Sequence, residues 1–240
     1  MAKICVLQTD NRLSLDYLLK TQKVNKKFCD VLKYDYLFID LNIYIKKHKH
    51  FHPATWKIFV LNDILEKKNY DILVFLDSDA WIQNGYWLND IIMNLINNPE
   101  KHGCFSRDPY LKHNTFINSG SFIIKNNEFT KNMYKNIISD LNNNPKYYRS
   151  WPYDQHYISK IIFENKENFV IFVPDILNTP IGKVLRHNWL KNKEMHNDLN
   201  ELILQKNEDL SIYKTNFIMS HYIDQVIFPN ANDSGYDYMK

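Results

Sequence analysis

One stretch constrains this chain more than any other: Asp71-Ile72-Leu73-Val74-Phe75-Leu76-Asp77-Ser78-Asp79-Ala80-Trp81-Ile82. Its five consecutive apolar residues, rich in β-branched and aromatic side chains, read as a strand covered on both faces, because a half-exposed strand would alternate. Such a strand sits inside a parallel sheet, and its carboxyl end is where open α/β folds place their ligands. Asp77 and Asp79 leave that end one residue apart, so both can turn toward one hard cation. Oxygen donors of this kind suit Mn²⁺ or Mg²⁺, which keep places for water and substrate phosphates. Alone, an Asp-x-Asp more often marks solvated turn carboxylates than a cation site. The buried strand before it and the matching segments below favour the cation.

The 240 residues suffice for one domain with a sizeable core, and no repeat or linker divides them. The formal net charge of +3 with scattered lysines asks for no nucleic acid or anionic membrane as partner. Cys5, Cys29 and Cys104 are odd in number and lack metal-ligand spacing, which suits buried thiols in a reducing compartment better than a disulfide framework. A strand at Lys3-Ile4-Cys5-Val6-Leu7 leaves no room for a leader, and no apolar run reaches membrane-spanning length. The expectation is a soluble, cytoplasmic protein.

The first strand runs into Gln8-Thr9-Asp10-Asn11-Arg12, a polar stretch where a parallel strand would meet a ligand. A crossover helix through Leu13, Tyr17, Leu18 and Val24 leads to Tyr36-Leu37-Phe38-Ile39-Asp40. Asp10 and Asp40 suit a nucleoside and suit a turn or helix cap equally. His48, His50 and His52 alternate in a basic loop, without the further Cys or His that structural zinc requires. A helix then spans Trp56 to about Lys67, with Lys57 on its first turn, placed to neutralise a diphosphate or hold a sugar hydroxyl.

Beyond the Asp-Ser-Asp, a helix over Trp87–Ile96 stops before Pro99. In Thr115–Ile124 the residues Asn118-Ser119-Gly120 interrupt an apolar strand, which reads as a bulge or a close approach by ligand. Ser150-Trp151-Pro152-Tyr153-Asp154-Gln155 resembles a helix entrance, with Ser as cap and Pro in the first turn. That accounts for Asp154 and leaves the Gln155 amide free to face a crevice. The segment 174–192, with Asn178, Gly182, Arg186, His187 and Trp189, has the length and polarity of a substrate-covering loop. Phe217–Tyr222 reads as a late strand delivering His221, and the tail beyond Asp224 carries no period.

With these residues assembled, the chain resembles the GT-A glycosyltransferases, above all the retaining α-galactosyl, mannosyl and xylosyltransferase family. The likeness lies in Pro53-Ala54-Thr55-Trp56-Lys57-Ile58, in Tyr70-Asp71 and in Leu76-Asp77-Ser78-Asp79-Ala80. Asn118-Ser119-Gly120, Asp154-Gln155 and His221 then follow in the family's order. The resemblance implies an α/β, Rossmann-like, mostly parallel central sheet flanked by helices, as a single domain over residues 1–240. Its nucleotide-binding half would be about 1–82, its acceptor-binding half about 83–225, and its tail 226–240. It implies Mn²⁺ (or Mg²⁺) on Asp77, Asp79 and His221, and Lys57 and Asn118 in the donor-sugar pocket. Gln155 would lie beside the anomeric carbon, and Asp154 would order a sugar hydroxyl. Thr9, Asp10, Asn11, Asp40, Ser78, Ser119 and Gly120 complete the expected substrate-binding set. The expected partners are a UDP- or GDP-sugar donor and a saccharide or glycosylated acceptor. Family members usually carry a membrane anchor and a Gly soon after the late His; the expectation here is a chain without that anchor, and no Gly stands near His221. A haloacid-dehalogenase-like phosphohydrolase using Mg²⁺ and a non-catalytic sugar-binding module are the competing expectations.

Overall fold

The computed structural model describes residues 2–109, 116–143, 149–189, 195–210 and 219–223. In chain order the main elements are β1 (Ile4–Asp10), α1 (Asp16–Leu32), β2 (Asp35–Asp40), α2 (Ile45–His48), α3 (Pro53–Lys67), β3 (Ile72–Leu76), β4 (Ala80–Ile82) and α4 (Gly85–Asn97). They continue with β5 (Gly103–Arg107), β6 (Ile117–Lys125), α5 (Glu128–Asn143), α6 (Asp154–Glu164), β7 (Phe169–Phe172), α7 (Pro174–Leu177), β8 (Leu185–His187) and α8 (Met195–Leu204). Six strands form one sheet in the order β2-β1-β3-β6-β5-β7. Only β6 runs against the others in that sheet. The chain is therefore a mixed α/β domain with a mostly parallel central sheet between helices, as the sequence predicts.

Period-two alternation divides the core cleanly. Val6, Val74, Leu76 and Ile123 pack on one face with residues of α1 and α4, such as Val24, Phe28, Leu88 and Ile91. Leu7, Leu73, Phe75 and Phe122 pack on the other with Ile58, Leu61, Tyr134 and Ile158 from α3, α5 and α6. Both faces of β3 are thus covered, which is why its sequence is a continuous apolar run. The three cysteines are free and buried. Burial pushes the Cys5 and Cys104 thiols up to about 12, and Cys29 upward as well.

Local chemistry sets the helix ends. Pro53 opens α3, and His52 Nδ1 accepts from the Ala54 N–H at 3.2 Å. Asn84 caps α4 by accepting from the Trp87 N–H at 3.1 Å.

Three expectations are corrected. Ser150 does not cap α6, which begins at Asp154 behind Tyr153, a residue at φ 52°. Residues 219–222 of the expected late strand form a 3₁₀ turn, Met219–Tyr222, whose Tyr222 carbonyl accepts from Val173 N at 2.9 Å. Among the described residues edge strand β7 gains only an isolated bridge there, Phe172 with Ile223, and Phe217 and Ile218 lie outside those residues. The segment 174–192 is no loose cover: up to Trp189, where its description ends, it contains α7 and β8, and β8 pairs antiparallel with β4 as a second small sheet. The tail beyond Asp224 also lies outside the described residues.

Candidate active site

Because β6 runs opposite to its neighbours, its first residues reach the same sheet edge as the last residues of β1 and β3. Asp77 N donates to Gly120 O at 2.7 Å, tying the acidic turn to the Asn118-Ser119-Gly120 segment. At this edge opens a cavity of about 340 Å³. Its walls are Thr9, Asp10, Asn11 and Arg12 after β1, His52, Pro53, Ala54 and Lys57 at the start of α3, the Asp77-Ser78-Asp79 turn, and His187 of β8, with Tyr17 and Leu41 completing them.

Lys57 is buried at the back of this cavity. Its Nζ donates to Asp77 Oδ1 and Oδ2 at 2.9 and 3.1 Å and to the Ser119 carbonyl at 3.2 Å. It also lies 3.3 Å from Asp154 Oδ2. Burial alone would lower the lysine's pKa, but the two carboxylates outweigh it and raise it to about 12. Burial raises the Asp154 carboxyl, and Lys57, shared with Asp77, does not fully offset that. Ser119 Oγ donates to Asp154 at 2.7 Å.

Gln155 adjoins this cluster and is buried too. Its Nε2 donates to Asp108 Oδ2 at 2.7 Å and its Oε1 accepts from Ser119 N at 3.3 Å. Asn118 Nδ2 donates to the same Asp108 oxygen at 3.2 Å. Asp108 itself escaped the sequence reading, because it follows an ordinary short strand and carries no motif.

His187 is the largest surprise. Its Nε2 lies 3.2 Å from Asp79 Oδ1 and 3.8 Å from Asp77 Oδ2, while its Nδ1 lies 3.2 Å from Asn118 Oδ1. Burial would lower this imidazole's pKa, yet Asp79 and Asp77 raise it above the usual value. In return, the His187 charge and hydrogen bond overcome the burial of Asp79 and hold that carboxyl below its usual range. The ring lies on Gly120, where an added Cβ would come within 1.9 Å of Cε1. Gly120→Ala is therefore expected to expel the imidazole and cost about 1–3 kcal/mol through overpacking. A melting curve read beside Mn²⁺ binding checks both consequences.

Other expected residues have different duties. Asp10 accepts from Arg12 N, Nε and Nη2 at 2.7, 3.0 and 2.9 Å. Burial pushes Asp10 up, but the Arg12 and Ser78 hydrogen bonds prevail and hold it below the usual carboxylate range. Its carboxylate is spent on Arg12, so Arg12 is the group that Asp10 presents to the cavity. Asp40 accepts from Asn42 N at 2.9 Å, a turn role, and does not line the cavity. His221 is exposed on its 3₁₀ turn and is not among the cavity-lining residues. His48 stacks on Phe59 and His52 on Tyr153. Among the described residues no group of three or more His, Cys, Asp or Glu side chains is placed to hold a metal ion as it stands.

No family model and no curated protein matches this sequence. Among solved structures, the chain superposes on a glycosyltransferase involved in the glycosylation of the major capsid of PBCV-1, with TM-score 0.58 and 15% identity over 83% of this chain and 98% of that one. It also superposes on the glycosyltransferase GlyE of Streptococcus pneumoniae TIGR4, with TM-score 0.53 and 11% identity, covering 88% of this chain and 62% of that one. The fold is that of these glycosyltransferases. At such identities the likeness speaks for architecture, and the chemistry must be argued from the site.

Proposed function

We propose that this chain is a metal-dependent retaining glycosyltransferase that moves a sugar from a UDP- or GDP-linked donor to a saccharide or glycosylated acceptor. One observation carries the reading. Two carboxylates and an imidazole converge at the carboxyl edge of a glycosyltransferase fold, beside a cavity with Lys57 behind it. Donors about 2.1 Å from one ion at right angles stand about 3 Å apart, close to the His187–Asp79 separation of 3.2 Å. The donor types therefore suit Mn²⁺ or Mg²⁺ on Asp77 and Asp79, and we assign the third place to His187 rather than to His221; Asp77, 3.8 Å from the imidazole, would draw in before all three close on one ion. When bound, such an ion acts as a Lewis acid on the departing diphosphate.

The chain's own groups do the rest. Asn118 orients the imidazole so that Nε2 faces the carboxylates. Lys57 and Arg12 bring positive charge to the cavity where the leaving group's negative charge would grow. Asp154 is engaged by Ser119 and Lys57, and the Gln155 amide by Asp108 and Ser119, so neither is offered as a nucleophile. This supports attack on the face the diphosphate leaves. The bond from the anomeric carbon to phosphate breaks, the bond to the acceptor oxygen forms, and the hydroxyl proton passes to the departing phosphate oxygen. A phosphohydrolase working through an aspartyl nucleophile finds less support, since the solved structures on which the fold superposes are glycosyltransferases.

Turnover of UDP- and GDP-sugars with and without Mn²⁺, read as nucleotide release, tests the proposal. No Mn²⁺-dependent release from any donor would overturn it. In the metal-free protein the raised pKa of His187 stabilises the fold below the unfolded value of about 6.5, and that gain is lost as pH rises through the folded value. Mn²⁺ must displace the same proton, so its affinity should rise with pH through that window and binding should release a proton. Calorimetry at pH 6 and 8 in buffers of different ionisation enthalpy checks this. His187→Ala should abolish the pH dependence, whereas His221→Ala should preserve it.

A further inference from the structure

We infer that Gln8, Thr21 and Asn25 form a buried cradle that positions the Asp77–Ala80 turn, and hence its two carboxylates, before any cation arrives. The inference rests on the metal-binding reading and adds residues that neither line the cavity nor touch the cation site.

The turn leaves the central sheet; Ala80 N closes it by donating to Asp77 O at 3.0 Å, and its carbonyls otherwise need partners from outside the turn. The cradle supplies most of them. Gln8 Nε2 lies 3.0 Å from Asp77 O and 3.4 Å from both Ser78 O and Ala80 O. Thr21 Oγ1 donates to Ser78 O at 2.8 Å and accepts from Gln8 Nε2 at 3.1 Å. Asn25 Nδ2 donates to Ala80 O at 3.1 Å, while its Oδ1 accepts from Ile82 N at 2.9 Å. Asp79 O is taken by Asn188 N at 3.0 Å, one residue after His187. Tyr36 closes the network from β2, its hydroxyl donating to Gln8 Oε1 at 2.7 Å.

Gln8, Thr21 and Asn25 are each no more than 1% exposed. Burying three polar side chains in the otherwise apolar layer between the sheet and α1 is costly unless every group is paired, and here the pairing converges on one turn. Apolar side chains would pack this layer equally well but would hold no carbonyl. Asp77 and Asp79 repel each other when ionised, and an unheld turn would splay them apart. A cradled turn keeps both facing one point, so binding does not have to order it.

The test measures Mn²⁺ binding to the full chain from the loss of the free ion's paramagnetic resonance signal, with circular dichroism and melting to verify folding. Thr21→Val keeps shape and removes the hydroxyl. It should weaken Mn²⁺ binding about 10–100-fold, and Thr21→Ser should restore it. Tyr36→Phe takes a single donor from Gln8 without creating a void and should weaken binding about threefold to tenfold, which keeps the test open should Thr21→Val not fold. If wild type binds, Asp79→Asn does not, and folded Thr21→Val or Tyr36→Phe binds like wild type, the cradle is overturned while the metal reading stands. If wild type and Asp79→Asn behave alike, the metal reading falls and takes the cradle with it.

Discussion

Asp79→Asn should lower Mn²⁺-dependent donor turnover about 100-fold to 1000-fold, the scale on which removing one electrostatic stabiliser of a developing anion acts. The change is nearly isosteric, and Asp79 keeps its fold contacts through the backbone, its carbonyl accepting from Asn188 N at 3.0 Å. The loss should therefore show as weakened metal and nucleotide binding in a protein that melts cooperatively. One side effect follows from charge. Asp79 is held below the usual carboxylate range, so its stabilisation is present above the unfolded value and lost as pH falls through the folded one. At neutral pH the metal-free variant should melt somewhat below wild type, and at strongly acidic pH the two should converge. A variant that turns over donor normally with Mn²⁺ would remove the basis of the proposed function.

Lys57→Met should be the more damaging to folding, at about 3–5 kcal/mol, because it removes one partner from a buried ionic cluster and strands the others. Lys57 is 4% exposed and Asp154 3%, so water cannot compensate Asp154 in place. Asp77 is partly open and would suffer less. The sign of the pH dependence follows. The raised pKa of Lys57, about 12, means that its contribution is complete below 10.5 and is lost only as pH climbs through 12, so wild type is insensitive to it near neutrality. Asp154 behaves oppositely: its raised pKa makes it a cost that grows as pH rises through the carboxylate range, and losing Lys57 enlarges that cost. The variant's deficit should thus be smallest in mild acid and largest above neutrality. Adding Asp154→Asn should recover part of it, a coupling that a double-mutant cycle in urea measures directly. Equal losses for the single and double variants would show that the cluster is not what matters at this position.

The sheet and the acidic turn were legible because β3 is covered on both faces and so spells itself as an unbroken apolar run. Lys57 was legible because a periodic helix fixes where its first turn lies. His187 was not. It belongs to a three-residue strand inside a polar segment, too short to show a period, and its partner β4 follows the acidic motif so closely that it reads as the motif's tail. The cradle was hidden for a related reason. Gln8 sits on a strand whose remaining residues advertise burial, and Thr21 and Asn25 look like solvent-facing helix residues until the turn lies above them. The expected late strand is overturned at residues 219–222, which turn as 3₁₀ although Phe-Ile-Met is apolar enough for a strand.

The sequestered thiols offer a practical opening. All three native thiols are screened from solvent and resist ionising, so a maleimide or iodoacetamide reagent should find no cysteine to modify in the folded protein. A single engineered cysteine at the cavity rim would then take up a fluorophore or spin label alone. The native background makes this chain ready for site-directed spectroscopy without first deleting any residue.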